Sequence, residues 1–361
     1  MLLLAAKLGI LASGGYVQGT NADIAVWQKV HNSIGMLTRR GEILGPAAFI
    51  SADGYAVANT LIVQKGATEI VTEAGLHYKI TVEANDGTSQ LTLLKTTTRP
   101  AGITFVQAAD RSDGEKGTVV AVLPKQYIKA ELTGTEKIGI DQKSKRTFPI
   151  QEVRVEQNAF QMGGALLFSK NGRLIGGLFA ALAQEQTISS KAQTLRNSAD
   201  FNNQGSQQGG GNAFQNLNNT RANVGPQAMI VGYTPTWEVT SKALSGFLTP
   251  AKKAQYGLLG VFIVDNQYGG VEIKSITKDS SAEAAGLEVG DVIREINGTR
   301  IRNQVDFSRA TYRMIPGTTI PIQVRRKVEL ITLMVTIGIQ HALVVGHPIF
   351  STERFDSPEI R

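Results

Sequence analysis

Apolar positions are distributed along the chain in two different ways, with a polar interval between them. From about residue 34 to 183 they come in short runs separated by Gly, Asp-Gly and Asn-Gly turns. Ala48-Phe49-Ile50-Ser51, Ala52-Asp53-Gly54-Tyr55 and Ala56-Val57-Ala58-Asn59 are representative. An Asp-Gly step between alternating apolar residues predicts a hairpin, because the turn needs residues that tolerate positive φ. Strands at this spacing, with no helical periods between them, predict a sandwich or barrel. Residues 22–37 open this region and predict a short amphipathic helix that leads into a strand.

Residues 184–228 lose the pattern. Gln, Asn, Ser and Gly dominate, with Gly209-Gly210-Gly211 at the centre, which predicts a flexible linker or insertion. A transition segment, 229–255, carries Trp237, Phe247 and Pro250. A second compact unit spans 256–338. Its strands are expected at 261–264, 271–276, 319–326 and 329–337. A short helical stretch at 281–285 is stopped by Gly286, and a polar-faced helix lies near 304–313. Residues 339–361 form a tail. The resulting division is an N-terminal apolar segment (1–21), a β-rich unit (22–183), the insertion, the transition, the second unit and the tail.

Composition narrows the classes. With 361 residues, 42% hydrophobic and 19% charged, the chain can build more than one core. It has no cysteine, which excludes disulfides, thiolate metal sites and cysteine nucleophiles. The net charge is +7. Basic residues gather at Lys125–Arg146 and Arg300–Lys327, but no aromatic-interleaved motif accompanies them, so no nucleic-acid partner is expected and the stretches read as solvated faces. The apolar start, Met1 to Ala12, is interrupted by Lys7 and falls short of the ~20 residues that span a bilayer. It reads as a signal-type h-region or as a short buried helix, and both readings stay open.

Three further segments bear on chemistry. Phe160-Gln161-Met162-Gly163-Gly164-Ala165-Leu166-Leu167 continues through Asn171-Gly172-Arg173-Leu174-Ile175-Gly176-Gly177. Phe49 to Asn59 is followed by Thr60-Leu61-Ile62-Val63, and Gln90-Leu91-Thr92-Leu93-Leu94-Lys95 lies further on. Over residues 22–183 these segments resemble the HtrA family of trypsin-like serine proteases. The 160–177 segment has the frame of the family's nucleophile loop, with Met162 at the serine position. The 49–63 segment resembles the strand-turn-strand that delivers the histidine, with Leu61 in its place. The 90–95 segment resembles the one that carries the aspartate, with Gln90 in its place. A thioether cannot be deprotonated, leucine accepts no proton and glutamine supplies no negative charge. The resemblance therefore implies a trypsin-like double β-barrel that has lost its catalysis, with no catalytic residue. Gln161, Gly163 and Gly164 are left to shape a residual oxyanion pocket.

The C-terminal compact unit carries Ser280-Ser281-Ala282-Glu283-Ala284-Ala285-Gly286-Leu287-Glu288-Val289-Gly290-Asp291-Val292-Ile293-Arg294-Glu295-Ile296-Asn297-Gly298, which resembles a PDZ domain. On this resemblance Leu258, Leu259, Gly260 and Val261 form the loop that receives a peptide carboxylate. The groove lies between 261–264 and the 304–313 helix, with Ile263, Phe307 and Ala310 among its residues. The fold class implied is mainly β: a trypsin-like double β-barrel followed by a PDZ domain, a small barrel with two helices.

The function implied is that of a catalytically inactive HtrA-like protein that binds protein segments or scaffolds an assembly. The family's setting implies the periplasm or cell envelope. A purely structural subunit of a large complex, and a serine endopeptidase with relocated catalytic residues, are the alternatives. No cofactor and no metal site are expected. His31, His77, His341 and His347 lack zinc-type spacing, and Asp110, Asp113 and Glu115 read as a solvated turn. A protein or peptide partner is expected, while a homo-oligomer, a larger complex and membrane proximity stay open.

Overall fold

In the computed structural model, residues 21–122, 127–140, 147–155, 164–178 and 230–341 are described. Helix α1 (Asn21–Val30) leads into a hairpin of β1 (Ile34–Arg39) and β2 (Glu42–Phe49), turned at Arg40 and Gly41, whose φ values are 51° and 83°. The Asp53-Gly54 turn then gives β3 (Tyr55–Asn59), with Gly54 at φ 93°. The one-turn helix α2 (Thr60–Val63), β4 (Glu69–Thr72), β5 (His77–Asp86) and β6 (Leu91–Thr96) follow. These strands close into a barrel in the order β1-β2-β3-β6-β5-β4. The expectation of many short strands is met because one face of each is apolar and packs inward, as Leu37, Phe49, Ala56 and Leu94 do.

A short helix, α3 (Arg111–Gly114), precedes the second sheet of β7 (Gly117–Val122), β8 (Tyr127–Ile140), β9 (Thr147–Val155), β10 (Leu166–Ser169), β11 (Leu174–Gly177) and β12 (Ile230–Pro235). Its order is β11-β10-β7-β8-β9-β12. The end strands meet at Gly176, where an added Cβ would lie 2.7 Å from Thr234 Oγ1, so the sheet curls like a barrel. Residues 230–235, within the stretch read from sequence as a transition, pair with β9 along their whole length. The remainder of that stretch holds α4 (Trp237–Phe247), whose Val239, Ala243 and Phe247 face the core.

The C-terminal unit contains β13 (Gln255–Leu258), β14 (Val261–Asp265), β15 (Val271–Ile276), α5 (Ser281–Ala284), β16 (Val292–Ile296), β17 (Thr299–Arg300), α6 (Gln304–Arg313), β18 (Thr319–Arg326), β19 (Glu329–Thr336) and β20 (Gly338–His341). Its sheet runs β14-β15-β16-β18-β19, with β13 paired to β20. Gly290 and Gly298 occupy positive φ (93° and 75°) at its turns, where a side chain would be strained. The helix at 304–313 matches the sequence expectation. Asn303 caps it by accepting a hydrogen bond from Asp306 N at 3.0 Å. The unit has its own core, which includes Ile273, Ile293, Phe307, Ile322 and Val335.

The C-terminal unit is joined to the body by shared core. Tyr256 of β13 and Tyr312 of α6 belong to the same buried cluster as Val57, Leu91, Phe148 and Phe247, and their rings meet at 5.1 Å. Among the described residues no helix is long and apolar enough to cross a membrane.

Candidate functional site

The groove is built by β14, α6 and the loop between β13 and β14. It encloses about 230 Å³. Of the residues expected there, Leu258, Leu259, Gly260, Val261, Ile263 and Phe307 line it. Ala310 does not; it is 7% exposed and packs in the core beneath, one turn from Phe307. Sequence reasoning missed Gln304, Ser308, Thr311 and Tyr312 on the helix, and Phe262 and Val264 on the strand. Gln304 and Thr311 were findable from Phe307, since residues three or four apart share a helix face. It also missed Ile138 and Thr147 of the second sheet. Nothing local in the chain signals that contact.

The loop is prepared for an acceptor. Gly260 sits at φ 80°, and the carbonyls of Leu259 and Gly260 are taken by Ala282 N (2.9 Å) and Thr277 N (2.8 Å). Among the described residues the amides of Leu259 and Gly260 have no acceptor. Strand β14 ends its sheet, so one edge is free of strand partners among the described residues. Two adjacent N–H groups and an open strand edge suit an extended chain that ends in a carboxylate.

Helix α6 has a second face that binds the body. Arg309 reaches Glu115 (3.0 Å), Glu136 (3.1 Å) and Glu238 (3.1 Å), and Arg313 meets Glu238 at 2.6 Å. Glu238 is only 3% exposed. Burial pushes Glu136 up to about 7, opposed by Arg309 and helped by Glu238 and Glu115. Tyr312 Oη donates to the Thr147 carbonyl at 3.1 Å, and Lys242 Nζ, which burial pushes down to about 8, donates to the Met314 carbonyl. Two expectations are corrected here. The 110–115 cluster is not a solvated turn: Asp110 caps α3, Asp113 is buried and accepts from Asn171 at 2.7 Å, and Glu115 pairs with Arg309. Nor is the second basic stretch wholly solvated, since Arg309 and Arg313 are docked and Arg326 holds buried Asp291 at 2.8 Å. Charge clusters look solvated in a sequence because the opposite charges come from far along the chain.

The positions that the resemblance sets against a catalytic triad lie elsewhere on the body. Leu61 is half-buried on α2, which Asn59 caps by accepting from Leu61 N at 3.0 Å. Gln90 is 3% exposed, at φ 56°, and its carbonyl accepts from Thr60 N at 2.9 Å, which sets it beside α2. Its Nε2 donates to the Gly87 carbonyl, while Oε1 has no partner among the described residues. Gly164 packs against Ile62 with φ 99°, which sets it beside the same helix. Its amide donates to the Leu178 carbonyl at 3.2 Å, which commits it to the sheet rather than to an oxyanion. Met162, Gln161 and Gly163 lie outside the described residues, as does His347. His31 meets Glu73 on the first barrel, and His77 is exposed beside Glu69 at 3.2 Å.

The comparisons with known proteins agree with this architecture. The model describing the PDZ domain matches residues 257–337. No curated protein matches the chain in sequence. Among solved structures, the HtrA-type protease AlgW with a tripeptide is 17% identical, at a TM-score of 0.54, covering 88% of this chain and 97% of that one. AlgW with a decapeptide is 14% identical, at 0.53, covering 88% and 98%. The serine endoprotease from Yersinia pestis is 15% identical, at 0.50, covering 89% and 98%. At these identities the likeness is one of fold. The chain has the fold of HtrA-type proteases and carries a PDZ domain.

Proposed function

We propose that this chain captures protein or peptide segments in its PDZ groove without cutting them, as a scaffold in an extracytoplasmic assembly. The observation that carries the reading is the loop at 258–261. Its two unused amides sit at the end of an apolar groove whose strand edge is open. The peptides in the AlgW structures support it by analogy of fold. The absence of cleavage follows from side-chain chemistry. Leu61, Gln90 and Met162 offer no proton acceptor, no negative charge and no nucleophile at the three positions where the resemblance expects them. The compartment rests on the resemblance alone.

A purely structural subunit is the alternative reading, favoured by the docking of α6 through Arg309 and Arg313. Two measurements separate the classes. Fluorophosphonate labelling of any serine, or cleavage of denatured casein, would sink the inactive reading. Failure to retain any member of a C-terminal peptide library at micromolar concentration would favour the structural subunit.

A further inference from the structure

The groove has an apolar feature that its own folding does not use. Val261 and Ile263 of β14 pack against the core of the unit, on the side of α6. Phe262, between them, points to the other face and is 54% exposed. It lies at the rim of the groove beside Leu258, itself 40% exposed. Phe262 and Leu258 together leave apolar surface exposed at the lip of a groove, where a contiguous patch marks contact with a partner.

An added strand fixes what Phe262 would meet. The unused amides of Leu259 and Gly260 complement a terminal carboxylate in charge and place the end of the ligand at the loop. Side chains of a strand alternate between faces. When the last side chain turns toward Val261, Ile263 and Phe307, the one before it turns to the face that carries Phe262. The surroundings of that face are neutral. Ser275 stands opposite Phe262 in the ladder, and Lys274 and Glu272 on the same strand neutralise each other at 2.5 Å. These described ladder neighbours carry no net charge to favour a charged side chain.

We propose that Phe262 selects the penultimate residue of the ligand, so that the groove takes chain ends whose last two side chains are both apolar. The inference rests on the peptide-groove reading above.

Fluorescence polarisation on the full chain tests it. The probes are labelled decapeptides with a common Gly-Ser body ending in Phe-Val, Ser-Val or Asp-Val, and the Phe-Val peptide as its C-terminal amide. Phe-Val is expected to bind about tenfold tighter than Ser-Val, and Asp-Val more weakly than either. Phe262→Ser should bring Phe-Val to the level of Ser-Val, while Phe262→Leu retains part of the preference. If the preference survives Phe262→Ser, is absent from the start, or is lost together with Ser-Val binding, the role of Phe262 is overturned and the groove reading stands on the amide control. If no free-acid peptide binds better than the amide, the groove reading fails and the inference falls with it.

Discussion

The phenol of Tyr256, on the strand that enters the groove loop, donates a hydrogen bond to the carboxylate of Asp86, at the end of the strand that leads to Gln90. Both residues are buried, and burial pushes both titrations upward. The pair therefore ties the 258–261 loop of the PDZ domain to the segment carrying Gln90.

Replacing Tyr256 with phenylalanine keeps the ring contact with Tyr312 and removes the donor to Asp86. The buried carboxylate keeps Thr88 N at 3.1 Å. The expected loss of stability is about 1–3 kcal/mol. Chemical denaturation measures it, and adding Asp86→Asn to the Tyr256→Phe variant should recover part of the loss.

Glu136 makes stability depend on pH. Its folded pKa, about 7, lies above the ordinary 4.5, so the folded chain holds a proton that the unfolded chain has released. Its contribution is fully present below about 4.5 and is lost as pH rises through about 7. Wild type should lose on the order of 2–3 kcal/mol relative to Glu136→Gln between pH 5 and pH 8. Parallel denaturation curves at both pH values would show that Glu136 titrates normally.

Gly260 tests the loop. A Cβ there would meet the Ser280 side chain, and φ 80° is strained for any other residue. Gly260→Val should cost about 1–3 kcal/mol and weaken peptide capture at least tenfold. Unchanged affinity in a folded variant would remove the loop from the binding site.

Reinstating the three side chains tests the inactive reading. Leu61→His, Gln90→Asp and Met162→Ser together should create fluorophosphonate labelling at residue 162, with none in the wild type. Aspartate tolerates the left-handed backbone at position 90, where φ is 56°. Loss of folding in the triple variant would be seen by circular dichroism, and the wild-type arm still decides the claim.

Much of the fold was legible because its signals are local. Asp53-Gly54 marked a hairpin, and the helix read near 304–313 from its polar face is observed at Gln304–Arg313. The strand at 230–235 was not legible, because it pairs with β9 across a long polar insertion that hides its membership of the sheet. In the groove, the loop and strand were legible from the PDZ motif. Ala310 was misplaced because one position of helical phase separates the lining of the groove from the core below it.

Covalent chemistry and short-range pattern came from the sequence by itself. They supply the alternation of strands and turns, the small barrel after the insertion, and the absence of a proton acceptor, a charge and a nucleophile at Leu61, Gln90 and Met162. Only the tertiary structure decided which distant groups meet. Asp86 finds Tyr256 across 170 positions and Glu115 finds Arg309 across 194. The physical reason is that hydrophobic periodicity constrains which face of an element is buried. It leaves open which polar group on another element will lie within hydrogen-bonding distance once those faces have packed.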